Sequence, residues 1–225
     1  MIKAENVSLR YKDGTLALKD VNIGIQPGEL VYILGPSGSG KTSLLKLLMG
    51  IEYPTSGSLE VMNLPMKRSK RRKIRKLRRN LGPIFQEFKL IEGRTALENV
   101  MMGMRILGIR PKRMREFANT ALSRVGLEHK RFSKVEKLSW GEAQRVAIAR
   151  AVARTPRLIL ADEPTGNLDH DNAVHILHLL NSFRNDHTTV VITTHATHLI
   201  QDFEDITILH VDQGNIRVER RGKRI

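Results

Sequence analysis

The chain has 225 residues and a mass of 25.5 kDa. That is room for one domain, or for one domain carrying a sizeable inserted subdomain. Hydrophobic residues at 40% and charged residues at 27% exclude a wholly disordered chain. No apolar run approaches the roughly 18–20 residues that cross a bilayer. The first residues lack a signal-peptide core. The expectation is a protein that neither spans the membrane nor is exported by that route. With no cysteine, disulfide scaffolds, Cys-based zinc sites and thiol catalysis are excluded, and a reducing cytosolic home is consistent. The net charge of +15 is a statement about partners rather than fold. It is uneven: ten basic residues and no acid fall between Lys67 and Arg79.

Ile2–Tyr11 and Ala17–Ile25 alternate roughly and are broken by Lys12-Asp13-Gly14, which predicts two antiparallel strands joined by a turn. Leu30–Leu34 is continuously apolar, as a strand buried on both faces requires. A glycine-rich turn follows, then helical spacing over Lys41–Met49 that stops at Gly50. Strand, glycine loop and helix together begin a parallel α/β unit. Between Glu87 and Lys137 the strand signals thin, and Ala96–Leu107 and Pro111–Val125 read as helices. Leu158–Ala161 and Val190–Thr193 are further buried strands. Ile206–Val211 and Ile216–Glu219 read as a closing hairpin about Gln213-Gly214-Asn215. The fold expected is α/β: a core with a parallel sheet, an N-terminal antiparallel β subdomain and an inserted helical subdomain. The core is assigned to residues 1–86 and 156–225, and the helical subdomain to 87–155.

Gly35-Pro36-Ser37-Gly38-Ser39-Gly40-Lys41-Thr42 fits G-x-x-x-x-G-K-[ST]. Glycines let several backbone N–H groups converge on one anion, and the following helix adds the positive end of its dipole. Lys41 is placed to neutralise β/γ-phosphate charge and the Thr42 hydroxyl to meet Mg²⁺, with Ser43 beside it. Chance would give this pattern in about 1 chain in 100 of this length. The apolar strand Leu158–Ala161 ends in Asp162-Glu163. Ligands of parallel sheets collect at the carboxyl ends of strands. Asp162 there suits a metal and its waters, and Glu163 suits a general base acting on an attacking water.

These residues, with five further elements in order, resemble the nucleotide-binding subunit of ABC transporters over almost the whole chain. The phosphate loop and the acid pair look like the Walker A and Walker B motifs of that family. Leu138-Ser139-Trp140-Gly141-Glu142 resembles its signature motif, and Ala143–Ala151 its signature helix. Gln86 resembles the Q-loop glutamine, Asn167-Leu168-Asp169 the D-loop, His195 the switch histidine, and Tyr11 the aromatic against adenine. The resemblance implies that the α/β core is a P-loop NTPase core, with ATP and Mg²⁺ as cofactors. It implies a metal held by Thr42, Gln86 and Asp162, and catalysis by Glu163 with His195 and Gln86. It also implies a head-to-tail homodimer in which Ser139, Gly141, Glu142 and Asp169 approach the partner's nucleotide. Ala161–Asp169, Leu77-Arg78-Arg79, Gly82 and Ile84-Phe85-Gln86 are similar to one branch, that of the FtsE, LolD and MacB types. Arg94-Thr95 before Glu98-Asn99-Val100, and the short length without a regulatory extension, lean toward the cell-division type. Its partner would be an integral membrane subunit of the FtsX type, at the cytoplasmic face of the inner membrane. A lipoprotein-releasing or MacB-type exporter is the alternative within the branch. A soluble ATPase acting on nucleic acid or ribosomes is the alternative outside it.

Two positions depart from the family pattern. Trp140 stands where a glycine is usual, so close approach to the partner's nucleotide is expected to suffer. Ala196 follows His195 where an aspartate is usual, so a looser loop is expected. The other histidines complete no metal site. Val100–Leu107, with Met101, Met102 and Met104, is a candidate groove for the membrane partner, with core packing as the alternative. In the basic run, Ile74, Leu77 and Leu81 fall at helical spacing, giving one apolar stripe on an otherwise basic surface. A solvated helix or contact with anionic lipid explains it, reinforced by the C-terminal Arg217, Arg220, Arg221, Lys223 and Arg224. With 4% aromatics, base-stacking platforms are scarce, which counts against nucleic acid as the partner.

Overall fold

The computed structural model describes residues 1–105 and 107–222. Ile106, Lys223 and Arg224 of the readings above lie outside the described residues. In chain order the elements are β1 (Ile2–Arg10), β2 (Leu16–Ile25), β3 (Leu30–Leu34), α1 (Lys41–Leu48), β4 (Ser56–Val61) and β5 (Leu64–Pro65). Then come α2 (Arg71–Leu77), β6 (Leu81–Ile84), α3 (Ala96–Arg105), α4 (Pro111–Arg124), α5 (Trp140–Val152) and β7 (Leu158–Asp162). The chain closes with α6 (His170–Asn181), β8 (Thr189–Thr194), β9 (Ile206–Asp212) and β10 (Asn215–Arg221).

Strands β6, β7, β8, β3 and β9 lie side by side and parallel, with β10 antiparallel on β9 at the edge. A second, antiparallel sheet runs β2-β1-β4-β5. The parallel order makes continuous apolar strands necessary, because both faces are covered. All five residues of β3 are buried. Leu30, Tyr32 and Leu34 face a core shared with α3, α4, α5 and α6. Val31 and Ile33 face a second core, filled by α1 and the antiparallel sheet. Strands β7 and β8 divide their side chains in the same way. Each such aliphatic side chain adds about 1.5–3 kcal/mol on burial, so the two-sided sheet is the main store of stability.

Helix α1 begins after Gly40, whose φ is +115°, and its chain reverses at Gly50, whose φ is +65°. A Cβ on Gly50 would lie 2.6 Å from Ile74 Cγ2, so α2 packs where only a glycine leaves room. This packing takes up Ile74 and Leu77 of the apolar stripe, whereas Leu81, expected on the same helix face, opens β6 instead because the helix ends at Leu77. Ile74 and Leu77 are buried, while Arg71, Arg72, Lys73, Arg75 and Lys76 face outward. Arg78 donates to the carbonyls of Met49 at 3.0 Å and Gly50 at 2.6 Å, closing the end of α1. Of the methionine cluster, Met104 is core, while Met101 and Met102 are half-buried. Helix α3 is described as Ala96–Arg105, and Leu107 lies in a turn.

Candidate functional site

Four parallel strands deliver the site residues to one edge. In sheet order, β3 leads into the phosphate loop, β8 into His195, β7 into Asp162 and Glu163, and β6 toward Gln86. The resulting cleft of ≈ 710 Å³ is lined by Tyr11, the phosphate loop through Ser43, Gln86, Glu163 and His195. A neighbouring hollow of ≈ 810 Å³ shares Tyr11 but contains none of the phosphate loop.

The loop is held at close quarters. A Cβ on Gly35 would lie 2.2 Å from the Val211 carbonyl oxygen, and one on Gly40 would lie 2.5 Å from that of Ala17. Gly214 N–H donates to the Ser39 carbonyl at 3.0 Å, which stitches the loop to the β9–β10 turn. Pro36 accepts the Ser39 N–H at 3.3 Å. The Lys41 ammonium, almost fully buried, folds back on the carbonyls of Gly35 at 2.8 Å and Pro36 at 2.9 Å. It also lies 3.4 Å from Glu163 Oε1. A buried cation needs such partners, and these are the groups that a phosphate would replace. Gly38 and Ser37 complete the cradle.

Glu163 has a left-handed backbone, φ +44°. Its N–H donates to Thr193 Oγ1 at 2.8 Å, which fixes that conformation. Its second carboxylate oxygen lies 3.0 Å from His195 Nδ1. The Thr193 hydroxyl donates to Asp162 Oδ1 at 2.8 Å, and Thr42 Oγ1 lies 3.2 Å from the same oxygen. Thr193 therefore ties both acids to β8. It went unread in the sequence as a site residue; its place one strand over from two acids was the available signal. Thr42 and Asp162 present hard oxygen donors of the sort that magnesium takes. Gln86 reaches the same cleft from the far side.

Other expected residues are held by local capping. Ser139 caps α5: its Oγ accepts from Glu142 N–H at 3.3 Å, and Glu142 Oε2 accepts from Ser139 N–H at 2.9 Å. That backbone donor is the main reason the Glu142 carboxyl sits below its ordinary range, with Lys130 assisting. Asp169 likewise caps α6 through Asn172 N–H at 2.9 Å, which lowers its pKa. Tyr11 bonds Ser43 Oγ at 3.1 Å and stands at the wall of the cleft. Gly141 lies beside Leu168, within the same packing of α5 on the loop after β7. After His195, the Ala196 N–H is taken by Thr194 Oγ1 at 3.1 Å, so a hydroxyl closes the loop that was expected to loosen. Among the described residues no cluster of three or more His, Cys, Asp or Glu could hold a metal.

An anion cradle facing an acid pair across a parallel sheet is the arrangement of a P-loop nucleotide hydrolase. The helical layer of α3–α5 and the antiparallel sheet narrow that class. The sequence pattern of the ABC transporter family matches residues 18–166, and the chain belongs to that family. It is an ATPase of the ABC type. Over 224 residues it is 36% identical to the cell division ATP-binding protein FtsE of Streptococcus pneumoniae serotype 2, covering 99% of this chain and 97% of that one. Among solved structures it is similar to cbiO1 from Clostridium perfringens, part of the ABC transporter complex cbiONQ. That match has a TM-score of 0.89 and 31% identity, over 98% of this chain and 88% of that one. It is also similar to the ATP-binding cassette MJ0796, solved as a post-hydrolysis dimer bound to ADP and Pi. Here the TM-score is 0.87 and the identity 37%, over 99% of this chain and 100% of that one.

Proposed function

We propose that this chain is the ATP-driven subunit of an FtsE-like complex. It binds Mg-ATP, pairs head to tail with a second copy, and passes the change to an integral membrane partner of the FtsX type. The observation that carries the reading is the convergence of Lys41, Glu163 and His195 at the phosphate loop. Near full-length similarity to FtsE supports the biological assignment, and the dimer of MJ0796 supports the pairing.

Arriving phosphates take Lys41 from the Gly35 and Pro36 carbonyls and from Glu163. Glu163 is then released from its cation and accepts a proton from the attacking water. His195 bonds phosphate and water together, and its contact with Glu163 sets the distance between them. Thr42, Asp162 and Gln86 would hold magnesium, which supplies charge neutralisation on the phosphates. Ser139 and Gly141 face the second chain's nucleotide, and Tyr11 stacks on adenine.

No helix among the described residues is long and apolar enough to cross a membrane. In this reading, which rests on the similarity to FtsE, the partner supplies the span and this subunit sits at the inner face. The half-buried Met101 and Met102 offer that partner an adaptable surface. Helix α2 adds contact with anionic lipid. Its apolar stripe is spent inward, so the contact is electrostatic rather than an insertion.

The test is purification of the Glu163→Gln variant from membranes in mild detergent with Mg-ATP, followed by mass spectrometry. Co-purification of a four-span membrane protein of the FtsX type is expected. A lipoprotein-releasing or MacB-type permease in its place refutes the division role. Recovery of only nucleic acid or ribosomal proteins refutes the membrane assignment.

A further inference from the structure

Trp140 opens α5 and is the sole tryptophan of the chain. It is 45% exposed, yet it is anchored at two points. The indole Nε1–H donates to the Gly166 carbonyl at 3.3 Å. Its ring packs on Phe88 with centroids 4.6 Å apart and planes at 58°. The two anchors belong to different loops. Phe88 lies two residues beyond Gln86, and Gly166 lies three beyond Glu163, whose carbonyl accepts the Gly166 N–H at 3.1 Å. The loops nearly touch: a Cβ on Gly166 would lie 3.8 Å from Gln86 Nε2.

The Phe88 loop needs outside support. Phe88 and Lys89 both have left-handed backbones, at φ +56° and +51°, which bulky side chains disfavour. Arg150, ten residues along α5, donates to both of their carbonyls. Helix α5 thus grips this loop at Arg150 and Trp140, and the same Trp140 side chain also bonds the loop after Glu163.

We propose that Trp140 is a positioning residue that clamps the Gln86–Phe88 loop to the Glu163–Gly166 loop within one chain and resists their separation when nucleotide fills the cleft. A ligand drawn between Gln86 and Glu163 must turn or part these loops. A side chain bonded to both cannot follow each one. The clamp therefore holds the isolated chain in its resting geometry and slows turnover. This rests on the ATP-cleft reading and is independent of the identity of any membrane partner.

The sole tryptophan reads the contact directly. In the nucleotide-free protein, Phe88→Leu increases acrylamide quenching of Trp140 fluorescence; unchanged quenching overturns the clamp. In the isolated chain, Trp140→Gly raises kcat by about twofold to tenfold, the rate equivalent of losing one aromatic pair, and leaves KM for ATP little moved. Trp140→Phe keeps a ring but loses the N–H donor, so its rate lies between wild type and glycine. Adding Phe88→Leu to Trp140→Gly gives no further rise, because both remove one contact. Radiolabelled ATP binding by equilibrium dialysis separates the two readings. Variants that bind ATP like the wild type but turn over no faster overturn the clamp alone. A wild type that binds no ATP overturns the cleft assignment and the clamp with it.

Discussion

Replacing Thr193 by valine keeps the shape of the side chain and removes one oxygen that two acids depend on. The hydroxyl is fully buried, donates to Asp162 Oδ1 at 2.8 Å and accepts the Glu163 N–H at 2.8 Å. The Ala161 carbonyl, at 3.5 Å, competes poorly for the same proton. A backbone N–H left unpaired costs about 1–3 kcal/mol, and a hydrogen bond to a charged group contributes about 1.5–3 kcal/mol. Asp162 is half-buried, so water recovers part of the second term. The net loss is about 2–4 kcal/mol, a fall in Tm of about 5–10 °C for a chain of this size. Without its N–H anchor, the left-handed backbone at Glu163 also relaxes, and kcat drops by about tenfold while KM for ATP barely moves. The assay is a thermal melt of nucleotide-free protein beside steady-state phosphate release, with Thr193→Ser as the variant that keeps the hydroxyl. A valine variant that melts within 1 °C of wild type and turns over equally fast refutes the assignment of Thr193 as the tie between the acids.

Gly35→Ala places a methyl group against the Val211 carbonyl, 2.2 Å away, so ATP binding measured by dialysis is lost or the protein fails to accumulate folded. Glu142 has a pKa lowered by the Ser139 N–H it accepts. Its contribution is therefore present above the ordinary value of 4.5 and lost as pH falls through the lowered one. Glu142→Gln should lower the melting temperature at pH 7, where the contribution is present, and the two melting curves should converge as pH falls below 4.5. Changing Arg71, Arg72, Lys73, Arg75 and Lys76 to serine should abolish sedimentation with phosphatidylglycerol vesicles at low salt, because each contributes on the order of 1 kcal/mol at an anionic surface. Equal sedimentation of wild type and variant would count against the lipid contact.

The parallel core was legible because a strand buried on both faces writes a continuous apolar run. Leu30–Leu34, Leu158–Ala161 and Val190–Ile192 all carry that mark, inside β3, β7 and β8. The phosphate loop and the acid pair were legible because they are local: each motif is contiguous and adjoins one of those strands. Strands β4 and β5 were missed. Ser56-Gly57-Ser58 lacks alternation, and a two-residue strand leaves no pattern to read. The basic helix was legible in its spacing but not in its orientation, since only the fold shows Gly50 receiving Ile74. Thr193 and Trp140 were read as a strand residue and a departure from pattern. Their roles come from partners about thirty and about fifty residues away, which no local window contains.

The central claim is that Glu163 activates water in an ATP-filled cleft. It is tested most directly by single-turnover hydrolysis of ATP by wild type and Glu163→Gln, with ATP binding measured on the same samples. The account predicts unchanged or tighter binding and a rate lower by about 10²-fold or more. Equal rates at equal occupancy would contradict it and move the base to another residue.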